Sequence, residues 1–78
     1  MAELKKVLTD ISRAIVDDPD GVNVTETVND GTVCLELNVS EDDVGKVIGR
    51  HGRIAKAIRL IMKAAASTDG KKVSVDIK

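Results

Sequence analysis

Residues 47–59 read VIGRHGRIAKAIR: an apolar pair, two glycines held apart by an arginine and a histidine, then cations recurring through an apolar run. Two glycines with two residues between them interrupt what would otherwise be one helix. The interruption leaves backbone N–H groups without intrahelical partners where the second helix begins, beside the positive end of its dipole. Gly49 and Gly52 carry no side chain, so a sugar-phosphate backbone can approach the main chain closely. Arg50 and Arg53 then stand ready for charge-assisted contacts to phosphate oxygens, with Lys56 one turn farther along. The stretch reads as a phosphate-backbone clamp. An ordinary corner between two helices is the competing reading, and a bare GxxG does not separate the two.

The charge around the loop argues for an anion site. Formal net charge is -1 over 78 residues, but residues 1–43 carry -8 and residues 69–78 carry +1. Between them, residues 44–68 hold Lys46, Arg50, Arg53, Lys56, Arg59 and Lys63 with no acid, giving +6. A local cationic field on an otherwise acidic chain points to a defined polyanion site, whereas a uniformly basic chain would suggest indiscriminate binding.

Working outward, Ser40 opens the short helix that leads into the loop. Glu41 and Asp42 favour its positive terminus, and Asp43 reads as the acidic partner of a capping box. Val44, Val47 and Ile48 supply that helix's apolar side. Past the loop, a longer helix runs from Arg53 to about Ala66, with Ile54, Ile58, Ile61 and Ala65 expected to face inward. On its wheel, Lys56, Arg59 and Lys63 form a stripe flanked by Leu60, Ala57 and Ala64. Leu60 is read as core rim or contact surface, and Ala55, Met62 and Ala66 as a weak outer patch. Residues 67–71 form a loop, and Val73, Val75 and Ile77 alternate as a final strand. Upstream, Leu4, Val7, Leu8, Ile11 and Ile15 recur at helical spacing over about residues 2–17, and Asp18-Pro19-Asp20-Gly21 ends the pattern. Val22, Val24 and Val28, then Val33, Leu35, Leu37 and Val39, alternate around an Asn29-Asp30-Gly31 turn as a hairpin with one apolar face. Cys34 falls on its polar face.

The order is therefore α-β-β-α-α-β. The strand-helix-helix-strand portion requires a crossover, so the second and third strands are parallel if adjacent, while the hairpin pair is antiparallel. The expected architecture is α+β: a three-stranded mixed sheet with three helices packed on one face, and residues 1–78 forming one domain.

The motif and the element order together resemble a known family. Val47-Ile48-Gly49-Arg50-His51-Gly52-Arg53-Ile54 with the trailing Ile58 is similar to the signature of the KH domain, and the α-β-β-α-α-β order resembles its type II arrangement. Because the resemblance covers essentially the whole chain, it extends to the small stand-alone bacterial KH proteins of the KhpA family. It implies binding of single-stranded RNA through a loop that clamps the nucleotide backbone. It also implies homodimers, pairing with a KhpB-like larger KH protein, and a part in RNA regulation or RNA chaperoning. The candidate RNA-binding residues are Lys46, Ile48, Gly49, Arg50, His51, Gly52, Arg53 and Lys56. Gly49 and Gly52 match the motif glycines, Arg50 and His51 its variable positions, and Ile48 the aliphatic residue at the base of the nucleotide groove. Ile54 and Ile58 match core positions. With no Phe, Tyr or Trp in the chain, base stacking on aromatic rings is not available, so weak, sequence-tolerant binding by one copy is expected. Replacing both glycines with aspartate is expected to spare the fold and remove binding.

Other classes fit less well. A protein-interaction adaptor, in which the helix-loop face pairs with another KH protein and RNA is secondary, is the main alternative. Single-stranded DNA is an alternative ligand, since no residue announces a 2′-hydroxyl contact. Catalysis is the poorest reading. There is one histidine and one cysteine, on separate elements, and the loop lacks the GxxxxGK[ST] pattern of nucleotide hydrolases. No metal site or cofactor is expected, because His51 has no second histidine or thiolate cluster to join it. A single thiol, no signal-peptide core in MAELKKVL and no apolar run of spanning length suit a cytoplasmic protein without membrane association.

Overall fold

The computed structural model describes residues 3–77. Helix α1 spans Leu4–Ile15; the expected start at residue 2 lies outside the described residues. Its end is marked by Val16, whose extended backbone still donates its N–H to Ser12 O, and by a single 3-10 turn over Pro19–Gly21. Strands β1 (Asn23–Asn29) and β2 (Thr32–Asn38) follow, joined through the two residues Asp30 and Gly31. Then come α2 (Val44–Ile48), α3 (Arg53–Thr68) and β3 (Lys72–Ile77). The order is α-β-β-α-α-β as expected, with α3 running two residues beyond its expected end.

The sheet order is β1-β2-β3. β1 pairs antiparallel with β2, and β2 pairs parallel with β3 in the register Val33↔Val73, Leu35↔Val75, Leu37↔Ile77. Strand side chains alternate between faces. Val24, Val33, Leu35, Leu37 and Val75 are buried under the helices, with α1 packed on β1 and α3 on β3. Thr25, Thr27, Cys34, Glu36, Ser74 and Asp76 line a shallow groove on the opposite face. All three helices therefore cover one side. Val28 departs from the expected apolar face of the hairpin: it is 62% exposed, and Val24 is the buried residue of β1.

The phase of α3 is a second correction. Ala55, Ile58, Met62 and Ala66 are its buried residues, whereas Ile54 and Ile61 are 37% and 48% exposed and Leu60 is 69% exposed. The inward face is thus turned from the expected one. Alanine at 55 and 66 lets the helix backbone come close to its neighbours, and α1, which packs on α3, offers the equally small and fully buried Ser12.

Asp43 supplies the third correction. Ser40 makes no side-chain cap hydrogen bond; its Oγ donates instead to Asp18 Oδ2 at 2.5 Å. The Asp43 carboxylate, 2% exposed, turns to the chain after α1 and accepts the backbone N–H groups of Asp17 (3.2 Å) and Asp18 (3.0 Å). It ties the end of α1 to the start of α2, and so fixes the element that carries the loop.

Candidate nucleic-acid interface

Between α2 and α3 the chain forms one 3-10 turn over Arg50–Gly52. Gly49 N–H still reaches Gly45 O (2.9 Å), closing α2, and Gly52 N–H reaches Gly49 O (3.1 Å), closing the turn. The backbone changes direction through three residues of positive φ: Gly49 (φ 75, ψ 174), His51 (φ 57, ψ 24) and Gly52 (φ 73, ψ 16).

The two glycines are needed for different reasons. At Gly49 a Cβ would lie 2.6 Å from Ile54 Cγ1 and 2.9 Å from Ile54 Cβ, in a backbone region that side chains almost never occupy. Gly49 thus lets the start of α3 fold down onto the loop. At Gly52 a Cβ would meet no atom within 4 Å. The open space over Gly52 lies at the N-terminus of the 16-residue α3, whose N-cap makes no side-chain hydrogen bond. The Gly52 and Arg53 N–H groups already bond to Gly49 O and Arg50 O, so what this helix start offers an anion is the positive end of its dipole and the open face of Gly52. The expectation that both glycines could become aspartate without structural cost is therefore revised: Gly49 is a packing position, and only Gly52 faces free space.

The flanking side chains divide in the same way. Arg50, His51, Arg53 and Lys56 are all exposed around the loop. Ile48 and Ile54 are each 37% exposed, giving an apolar shoulder beside the glycines where the sequence reading assigned Ile54 to the core. Ile54 packs over Gly49 instead, its Cγ1 2.6 Å from where a Cβ at that position would lie. Lys46 is drawn elsewhere. Its ammonium forms an ion pair with Asp17 and lies 3.6 Å from Asp43 Oδ1. Arg59, on the cationic stripe, donates its Nε–H to Val75 O at 3.2 Å, tying α3 to β3. Asp17 was not a candidate in the sequence, because its link to Lys46 spans 29 positions. Among the described residues, no group of three or more His, Cys, Asp or Glu could hold a metal ion, and no helix is long and apolar enough to cross a membrane.

The chain is similar to known proteins over nearly its full length. The family model described as "KhpA/KhpB, KH domain" matches residues 5–77. An RNA-binding protein KhpA of Clostridium perfringens is 49% identical over 74 residues, covering 95% of this chain and 99% of the relative. The protein of the same name from Caldanaerobacter subterraneus is 48% identical over 77 residues, covering 99% of each chain. That from Treponema pallidum is 41% identical, covering 94% of this chain and 91% of its own. In fold, the chain is similar to part of Era, solved in complex with MgGDPNP and nucleotides 1506–1542 of 16S ribosomal RNA. The TM-score is 0.66 at 13% identity, over 95% of this chain and 28% of the Era chain. With the GxxG loop between α2 and α3 and a family match from residue 5 to residue 77, the chain belongs to the KhpA/KhpB family of KH domains.

Proposed function

We propose that residues 1–78 act as one type II KH domain that binds single-stranded RNA without catalysis, by clamping the sugar-phosphate backbone at Gly49-Arg50-His51-Gly52. The single observation that carries this reading is the unfilled space over Gly52 at the uncapped start of α3, ringed by exposed Arg50, His51, Arg53 and Lys56. The dipole end of α3 and the open face of Gly52 receive a phosphate, and the cations hold its neighbours along the strand. Ile48 forms the apolar floor against which a base edge rests. Lys46 completes the set when it leaves its acidic partners. Relatives that carry the name RNA-binding protein KhpA support RNA as the ligand. Backbone contacts of this kind extend to single-stranded DNA wherever the sugar is not read.

A homodimer is the second part of the reading. Ala57, Leu60, Ile61 and Ala64 are all exposed and recur at i, i+3, i+4 and i+7 on α3, which is the pattern of a helix face that meets a partner. A second copy of this chain, or a KhpB-like KH protein, covers it. In a cytoplasmic setting such a dimer would serve RNA regulation or RNA chaperoning.

The test is a fluorescence-anisotropy titration of labelled single-stranded RNA with the wild type and Gly52→Asp at two salt concentrations. Aspartate is tolerated better than most residues in a left-handed conformation, so the far-UV circular dichroism should be retained while binding is lost. Wild-type binding should fall with salt at a log-log slope of about -2 to -3, from three or four phosphate contacts to a single strand. Equal binding by Gly52→Asp refutes the clamp. No binding by the wild type at either salt moves the function to the exposed face of α3, as an adaptor.

A further inference from the structure

Lys46 belongs to the acid-free stretch that surrounds the loop, one turn ahead of Gly49, yet its ammonium is engaged by the segment after α1. Of its two acidic partners, Asp43 is fixed: its side chain is 3% exposed, and its oxygens are held by the Asp17 and Asp18 N–H groups. Asp17 is different. Its side chain is 82% exposed and that of Lys46 is 42% exposed, so the carboxylate and the ammonium can each turn to solvent. Asp18, Asp20, Glu41 and Asp42 are also exposed in the two flanking segments, so this corner of the molecule repels a polyanion as a whole.

We infer that the Asp17–Lys46 ion pair is an intramolecular competitor for RNA phosphate, exchanged when a strand occupies the loop. The inference rests on the backbone-clamp reading above. A carboxylate and a phosphate oxygen are equivalent acceptors for an ammonium, so binding replaces one ion pair with another and Lys46 adds little net affinity in the wild type. The exchange also leaves the Asp17 charge unpaired beside the bound strand. Removing that charge while keeping the side chain's shape leaves Lys46 only the fixed Asp43, 3.6 Å away, and lets it contribute more. Asp17 is then an autoinhibitory residue that holds a single clamp in the weak, exchangeable range.

The experiment is an anisotropy titration of labelled oligouridine RNA with the wild type, Asp17→Asn, Lys46→Met, the double variant and Gly52→Asp. It is run at about 50 mM and about 200 mM salt. Asp17→Asn should bind about twofold to fivefold more tightly at the lower salt, the range a solvent-facing ion pair allows. The gain should shrink at the higher salt as the charges are screened, with the salt slope steeper by about 0.7 for one added single-strand phosphate contact. In the Lys46→Met background the same substitution should produce no gain. Unchanged or weaker binding by Asp17→Asn overturns the inference, as does a gain that survives without Lys46, which would make Asp17 a plain repulsive charge. The underlying reading is judged by Gly52→Asp. If that variant binds like the wild type, the clamp and this inference both fall; if it loses binding while Asp17→Asn is silent, only this inference falls.

Discussion

Exchanging either loop glycine for alanine should separate a packing role from a ligand-facing one. Gly49→Ala places a methyl group 2.6 to 3.0 Å from three side-chain carbons of Ile54, at φ 75 and ψ 174. The backbone region alone costs about 1–3 kcal/mol for a residue with a side chain, and the forced shift of Ile54 adds about 1–3 kcal/mol. Reduced freedom of the unfolded chain returns about 0.4–1 kcal/mol. The net loss is about 1–5.5 kcal/mol, against the roughly 4–12 kcal/mol expected of a chain this long. Gly52→Ala, at φ 73 with open space around it, bears only the left-handed penalty of about 1–2 kcal/mol, less the same entropic return. The assay is urea unfolding followed by far-UV circular dichroism, since no aromatic residue supplies a fluorescence signal. Gly49→Ala should lower the midpoint far more than Gly52→Ala. In the Ile54→Ala background, part of the Gly49→Ala loss should be recovered, because Cγ1 and Cδ1 are gone while Cβ, at 2.9 Å, remains. Equal midpoints for the two glycine variants, or no recovery on shortening Ile54, would refute the contact as the cause.

Three further outcomes follow from the packing. Asp43→Ala should destabilise by about 2–4 kcal/mol in the same assay, since it strands the Asp17 and Asp18 N–H groups and leaves Lys46 with one acid fewer; Asp43→Asn, which keeps one acceptor oxygen, should lose less. Met62→Ala should cost about 2–4 kcal/mol because the side chain is fully buried, whereas Ile61→Ala, half exposed, should cost below about 1 kcal/mol in the monomer. Leu60→Asp with Ile61→Asp should leave unfolding of the monomer nearly unchanged and abolish self-association in sedimentation; a dimer that persists would place the interface elsewhere.

Local rules made most of the fold legible. The hairpin was visible because Val33, Leu35 and Leu37 alternate beyond an Asn-Asp-Gly turn, and the parallel pairing of β2 with β3 followed from the two helices between them. The loop was visible because glycine spacing and cation spacing coincide. What escaped had non-local causes. Apolar residues lie nearly all round α3, so its periodicity fits two phases, and packing against α1 and β3 selects the one adopted. Asp43 looked like a cap three residues from Ser40, yet its strongest partners are amides 25 and 26 positions away. Lys46 counted as a free cation until the chain after α1 was brought beside it.

These non-local contacts bear on how tightly one copy can bind. Base stacking on aromatic side chains contributes about 1–3 kcal/mol per base in other single-strand binders, and this chain has no such rings. Two of the six cations around the loop are also engaged within the protein, Lys46 by Asp17 and Arg59 by the Val75 carbonyl. On the proposed clamp, the affinity of one copy would rest on the start of α3, Gly52 and the exposed Arg50, His51, Arg53 and Lys56, which would favour fast exchange along a strand. The proposed pairing of two copies through α3 would turn the second contact into an intramolecular event, raising avidity by about a hundredfold to ten-thousandfold without a new contact when both sites are spanned. On that proposal the exposed apolar face of α3 compensates for a weak clamp, and the Leu60→Asp, Ile61→Asp variant should lose affinity for long RNA while keeping its affinity for an oligonucleotide that fills one loop.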